Sequence, residues 1–210
     1  MRSKRKWLQC CRLYLILDTE VSSYDELLRI VKRAVPAGVD MIQLRDKNGL
    51  AKDIVKFSKE VLRFTRHKIP YIINDRVDLA KVVQASGVHL GQDDLSIVFA
   101  RKVLGSQAIV GVSCQTLTHV TKAIRQKADY IGFGSVFRTL TKPERIPQDL
   151  NLVKQVVKRS PIPFFAIGGV GLNNIGLLTE AGVKRVAVCR AICQTRDINQ
   201  VVKNFKAKLR

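Results

Sequence analysis

Short apolar, β-branched runs recur along the chain at 13–17, 41–44, 71–73, 88–90, 109–112, 130–132, 164–167 and 186–188. Runs of this length and composition predict strands. Between them the apolar residues fall at helical spacing. Leu27, Ile30, Val31 and Ala34 form one face, Ile54, Phe57, Val61 and Leu62 a second, and Leu152, Val153, Val156 and Val157 a third. Shorter helices are predicted over 77–83 and 173–181. A closing helix is predicted over 198–209, with Val201, Val202 and Phe205 on one face. Strands alternating with helices imply right-handed βαβ crossovers and a parallel sheet. Eight such repeats without a break predict an α/β chain folded as a single (β/α)8 TIM barrel. An open doubly wound sheet is the competitor, but no G-x-G-x-x-G follows the first strand.

The length, 210 residues, suits one domain. A loose basic N-terminal tail, residues 1–12, followed by a barrel catalytic domain, residues 13–210, is expected. No apolar run approaches the ~20 residues of a membrane span. The basic start and the apolar 13–17 segment run straight into Asp18 and Glu20, with no small-residue cleavage site, so a cytoplasmic protein is expected. The cysteines (Cys10, Cys11, Cys114, Cys189 and Cys193) are odd in number and match no zinc spacing, which predicts buried or idle thiols. The formal charge is +20. Nucleic-acid binding is one source of such an excess, but Lys and Arg are scattered and only 6% of residues are aromatic. Acidic small-molecule substrates account for it as well.

In a barrel the active site lies at the C-terminal strand ends, and here those ends are polar. The second ends in Gln43-Leu44-Arg45-Asp46-Lys47, the third in Asn74-Asp75-Arg76, the fourth in Gly91-Gln92-Asp93-Asp94 and the fifth in Ser113. The sixth runs on to Thr139-Leu140-Thr141-Lys142, the seventh ends in Gly168-Gly169 and the eighth in Cys189-Arg190. Strand alternation places Gln43, Arg45 and Lys47 on one face and Ile42 and Leu44 on the other. An amide and two cations at an open mouth suit a phosphate or diphosphate. Asp75 and Asp94 follow neighbouring strands and suit one shared magnesium ion; helix capping is the alternative. Gly168-Gly169 before a helix suits a phosphate cup, or a plain turn. Thr139, Thr141 and Lys142 lie in the longest connection, 133–148, and suit a second phosphate-bearing ligand, a lid or a solvated loop. His89, inside the fourth strand, reads as a satisfied core residue, and no Ser-His-Asp or Cys-His order is present.

These residues, with Tyr14-Leu15-Ile16-Leu17-Asp18, Ile72 to Ala80, Gly87 to Leu95, Gly111-Val112-Ser113, Asp129 to Gly134 and Ala166 to Val170, resemble the thiamine-phosphate synthase (thiamine-phosphate pyrophosphorylase) family. The resemblance runs from about residue 13 to 195. It implies a barrel and a magnesium-dependent alkyl transferase. The reaction joins 4-amino-2-methyl-5-hydroxymethylpyrimidine diphosphate to a thiazole phosphate, giving thiamine phosphate and pyrophosphate. It implies that the 43–47 run (Gln43, Leu44, Arg45, Asp46, Lys47) and Asn74 hold the pyrimidine diphosphate, that Asp75 and Asp94 carry Mg2+, and that Ser113 contacts the pyrimidine. Lys142 would meet the pyrophosphate, and Thr139, Thr141 and Gly169 the thiazole phosphate, with Cys189 and Arg190 nearby. Arg45, Lys47, Ser113 and Lys142 are the implied catalytic residues. The implied partners are the two small molecules, with no membrane, and a homo-oligomer is compatible with them. The family usually has Ser where this chain has Arg190, and Arg138 and Leu140 vary a loop that commonly carries Pro before its first Thr. Competing readings are a thiazole-tautomerase-like paralogue, or a catalytically idle barrel whose basic surface binds nucleic acid or an acidic partner.

Overall fold

The structure is a computed structural model that describes residues 4–140 and 146–209, with only the backbone of residues 4–6. The elements, in order, are α1 (Lys4–Cys10), β1 (Leu13–Asp18), α2 (Tyr24–Ala37), β2 (Met41–Arg45), α3 (Ala51–Thr65), β3 (Tyr71–Asn74), α4 (Val77–Val82), β4 (Gly87–Leu90) and α5 (Ile97–Leu104). They continue with β5 (Ile109–Cys114), α6 (Leu117–Arg125), β6 (Tyr130–Phe133), α7 (Leu150–Arg159), β7 (Phe164–Ile167), α8 (Ile175–Glu180), β8 (Val186–Val188), α9 (Arg190–Cys193) and α10 (Ile198–Lys208). The strands pair in parallel in chain order, and β8 closes onto β1. This is the (β/α)8 barrel that the periodicity predicts.

Closure sorts every strand by parity. Leu13, Leu15 and Leu17 of β1 face the helices and join a core built with Leu27, Ile30, Val31 and Ala34 of α2 and Ile54, Phe57, Val61 and Leu62 of α3. Tyr14 and Ile16 face the lumen, where they meet Met41, Ile72, Ile109, Tyr130 and Phe165. The rings of Tyr14, Tyr130 and Phe165 meet edge to face, with centroids 5.2–5.9 Å apart. Gly111 leaves room for Tyr130: a Cβ there would stand 2.1 Å from its ring. Helix ends obey local chemistry. Ser23 accepts from the Glu26 N–H at the start of α2, and Gly38, at φ 119°, closes its end with its N–H on Ala34 and Val35 carbonyls.

Two local expectations change, and one element is unforeseen. The tail 1–12 is not loose where it is described: Leu8 of α1 and Cys11 just after it, 1% and 3% exposed, join the lumen cluster, and Arg185 Nη2 holds the Gln9 carbonyl at 2.9 Å. The basic residues that suggested a solvated tail flank an apolar pair at helical spacing. The helix expected over 173–181 is shortened to Ile175–Glu180, because Asn174 turns its side chain onto the Gly171 N–H at 2.9 Å. The short α9 carries too little apolar periodicity to be foreseen.

Asp40 fastens the chain's two ends. Its carboxylate accepts from the N–H groups of Arg12 and Leu13 at 2.8 and 2.9 Å and from Lys206 Nζ of α10 at 2.6 Å. Replacing Asp40 with Ala leaves two strand N–H groups and an ammonium without their acceptor. The expected loss is about 2–3 kcal/mol of unfolding free energy, read as a lower urea midpoint at unchanged slope.

Candidate active site

A cavity of about 820 Å³ opens at the C-terminal strand ends, above the lumen cluster. Its wall includes Gln43, Arg45, Lys47, Asn74, Asp75, Asp94, Ser113, Thr139, Gly169, Cys189 and Arg190, so most residues singled out from the sequence converge there. Thr141 and Lys142 lie outside the described residues.

Two members of the 43–47 run do not reach the wall. Leu44, 1% exposed, points into the sheet–helix core, as strand parity requires. Asp46 turns back into its own loop, where it accepts from the N–H groups of Gly49 and Asn48 at 2.6 and 3.1 Å and from the Tyr24 hydroxyl. It organises the turn that presents Lys47. The picture of two bare cations is corrected as well. Arg45 Nη1 donates to both oxygens of the fully buried Asp18, at 2.9 and 2.8 Å, and to Glu20 at 3.0 Å. Lys47 pairs with Asp75. A buried carboxylate without a cation is expensive, so the mouth arrives with its charges matched. Gln43 turns its amide down the lumen, with Nε2 donating to Tyr14 Oη at 2.5 Å.

Helix capping does not claim the two aspartates. Asp75 sits at φ 58° ahead of Arg76, the residue at the N-cap of α4, whose side chain makes no cap hydrogen bond. The cap of α5 is Ser96, on the Phe99 N–H, whereas Asp94 holds the Gly91 N–H of its own loop at 2.6 Å. Burial, and then the adjacent Asp94 carboxylate, push Asp75 above the ordinary carboxylate range, against the pull of Lys47. Burial alone would raise Asp94 too, but contacts with Asp75, the Gly91 N–H and Lys47 outweigh it and hold it low. Two facing carboxylates of which only one ionises readily are a hard-oxygen donor pair that a divalent cation would satisfy. No third Asp, Glu, His or Cys joins them among the described residues. That fits magnesium, which takes one or two carboxylates and fills its shell with water and phosphate oxygens.

His89 is buried and satisfied, yet it also borders the cavity. Nδ1 lies 3.0 Å from the Tyr130 hydroxyl and Nε2 3.0 Å from Ser113 Oγ. Gln92 Nε2 donates to the Ser113 carbonyl at 2.6 Å. Across the mouth, Gly168 and Gly169 both take positive φ, 101° and 66°. Their first role is close approach: a Cβ on Gly169 would stand 2.2 Å from the Arg138 carbonyl, and Phe137 N donates to Gly168 O at 3.0 Å. The glycine pair braces the start of the long loop that carries Thr139. Wall residues missed by the sequence reading include Asp18, Gln115, His119 and Arg138. Asp18 was findable, because it ends the first strand as Gln43 and Arg45 end the second.

The sequence model of the thiamine monophosphate synthase family matches residues 13–192. The chain is 42% identical over 198 residues to a thiamine-phosphate synthase of Prochlorococcus marinus (strain MIT 9313), covering 93% of this chain and 56% of that protein. It therefore spans a little over half the length of such relatives. It is also 33% identical over 210 residues to a thiamine-phosphate synthase of Clostridioides difficile (strain 630), covering 100% of both. The solved thiamine phosphate pyrophosphorylase of Pyrococcus furiosus superposes with a TM-score of 0.86 at 30% identity, over 98% of this chain and 96% of that one. The chain belongs to the thiamine monophosphate synthase family.

Proposed function

We propose that this barrel is a thiamine-phosphate synthase that joins 4-amino-2-methyl-5-hydroxymethylpyrimidine diphosphate to a thiazole phosphate. The observation that carries the reading is the convergence of Arg45, Lys47, Asp75 and Asp94 at one mouth. A single anion or a single metal ion does not account for both charge types, whereas a magnesium diphosphate does. The retained aspartate pair also disfavours a paralogue that only tautomerises the thiazole. No described helix is long and apolar enough to cross a membrane, and a cytoplasmic location with two small-molecule partners completes the proposal.

Asp75 and Asp94 would hold Mg2+, which would supply positive charge against the diphosphate oxygens. Lys47 pairs with Asp75. With that carboxylate engaged by a metal ion, the Lys47 ammonium would be available to the diphosphate. Arg45 is held at the rim by Asp18 and Glu20 and adds a fixed charge there. As the methylene carbon–oxygen bond breaks, its electron pair leaves on pyrophosphate. Arg45 and Lys47, joined by Lys142, would stabilise that growing charge. The aminopyrimidine-bearing carbocation is then captured by the lone pair of the thiazole nitrogen. This nucleophile carries no proton, so no general base is required. Thr139, Thr141, Gly169, Cys189 and Arg190 would hold the thiazole phosphate, with the Arg190 guanidinium taking the place of a family Ser.

Purified protein is expected to form thiamine phosphate from the two substrates, and to lose activity by a factor on the order of 10³ in Asp94→Ala. Full turnover in excess chelator would sink the proposal. Saturating Mg2+ is expected to raise the thermal midpoint of the wild type, corresponding to about 2.7 kcal/mol at a hundredfold excess over Kd. Metal ligands must be deprotonated, and Asp75 titrates above the ordinary range. The magnesium-induced shift is therefore expected to shrink as the pH is lowered, and to disappear in Asp75→Asn. In Arg190→Ser the KM for the thiazole phosphate is expected to rise about tenfold, near 1.4 kcal/mol, with kcat less affected. An unchanged or lower KM would place that phosphate elsewhere.

A further inference from the structure

The lumen holds a continuous chain of buried hydrogen bonds that the synthase reaction does not itself call for. It starts at Gln43 on β2, passes through Tyr14 on β1, Tyr130 on β6 and His89 on β4, and ends at Ser113 on β5. The links are Gln43 Nε2 to Tyr14 Oη at 2.5 Å, Tyr14 Oη to Tyr130 Oη at 2.9 Å, Tyr130 Oη to His89 Nδ1 at 3.0 Å, and His89 Nε2 to Ser113 Oγ at 3.0 Å. Gln43 and Ser113, the two ends, stand on the cavity wall, while Tyr130 in the middle is fully buried and off it.

Such a chain has a direction, and the amide sets it. The Gln43 amide nitrogen has no lone pair to accept with, so Tyr14 receives from it. Tyr14 must then place its own proton on Tyr130, and Tyr130 places its proton on His89 Nδ1. An imidazole that accepts at Nδ1 carries its proton at Nε2. Nε2–H therefore donates to Ser113 Oγ, and the Ser113 hydroxyl proton is left for the cavity. At the other end the Gln43 Oε1 lone pairs are left for the cavity. Burial holds both phenols protonated, pushing Tyr14 and Tyr130 well above their ordinary range. The reverse order would require Tyr14 to donate into an amide nitrogen, and a broken order would strand a buried polar group without a partner.

We propose that Tyr14, Tyr130 and His89 act as positioning residues that fix Ser113 as a donor and Gln43 as an acceptor, so that the cavity takes a heteroaromatic ring offering an amino donor and an unprotonated ring nitrogen. An aminopyrimidine has this pattern. The corresponding oxo-pyrimidine, with a carbonyl and a ring N–H, has the opposite one. The proposal rests on the synthase reading for the identity of its ring, but the polarity of the chain is a property of the protein alone.

Two measurements test it. The first is the 15N spectrum of histidine-labelled protein in alkaline buffer. The chain has three histidines, and a His67→Gln, His119→Gln variant leaves His89 as the single imidazole. The expected state is a bare Nδ1 with a protonated Nε2. A protonated Nδ1, in the neutral ring or in the imidazolium, overturns the proposal. The second is calorimetric binding, with Mg2+, of the amino-pyrimidine diphosphate and its oxo analogue. The wild type is expected to prefer the amino form by a factor on the order of 10² or more. Tyr130→Phe, which cuts the chain without touching the wall, is expected to lower that preference at least tenfold. A preference unchanged in Tyr130→Phe overturns the specificity role. If Tyr130→Phe does not fold, the wild-type tautomer decides. If the wild type binds the amino form selectively but forms no thiamine phosphate, the synthase reading falls and the polarity proposal stands.

Discussion

Barrel closure is the constraint on which this molecule depends. A parallel sheet closed on itself has no edge and only one interior, so every second residue of eight strands must share a narrow lumen. The lower part is filled by Tyr14, Met41, Ile72, Ile109, Tyr130 and Phe165, with Leu8 of α1 beneath. The upper part takes inward positions nearer the C-terminal strand ends, among them Asp18, Gln43, Arg45, Asn74, His89 and Ser113. The active-site candidate is therefore the continuation of the core by the same alternation. It lies two or four residues further along these strands, where polar side chains replace apolar ones.

This explains what was legible in the sequence. A period of two gives the face of a strand, so Gln43, Arg45 and Lys47 were grouped correctly, and Leu44 was turned away from them. Periodicity says nothing about what stands across the lumen. Tyr14 and Tyr130 lie 116 residues apart in the chain, and only the closed register brings their hydroxyls together. The same blindness made Arg45 and Lys47 look like bare cations, because their partners Asp18 and Asp75 come from neighbouring strands. His89 shows a subtler limit. A histidine between apolar residues reads as core, and it is buried and satisfied. The sequence does not reveal that one of its partners, Ser113, stands on a cavity wall. The basic N-terminus misled through composition, since charge is counted easily and the Leu8–Cys11 spacing is not.

The pairing of rim charges changes how the +20 formal charge should be understood. Spread over the surface, it provides a field that favours the approach of anions. At the mouth itself, Arg45 and Lys47 are matched by Asp18, Glu20 and Asp75, with Asp94 beside them. Paired in this way, the rim cations alone offer a diphosphate little net attraction. A divalent cation on Asp75 and Asp94, as proposed, would offset the two carboxylates and free Lys47. On this proposal the metal ion and the diphosphate would depend on one another for binding, because of the ion pairs at the rim.

The lumen chain and the proposed chemistry fit each other for a related reason. Breaking a carbon–oxygen bond to release pyrophosphate, with capture by a neutral nitrogen, moves no proton at the reacting carbon. A histidine beside such a centre has no general-base work to do, and a freely titrating one would be a hazard next to a carbocation. In this barrel His89 has a partner at each ring nitrogen. Its value lies in transmitting orientation. The amide of Gln43, incapable of accepting at nitrogen, imposes one proton order on two phenols, an imidazole and a hydroxyl. A site that must hold a flat, weakly basic ring in a single pose while its substituent departs gains more from fixed donors and acceptors than from a mobile proton.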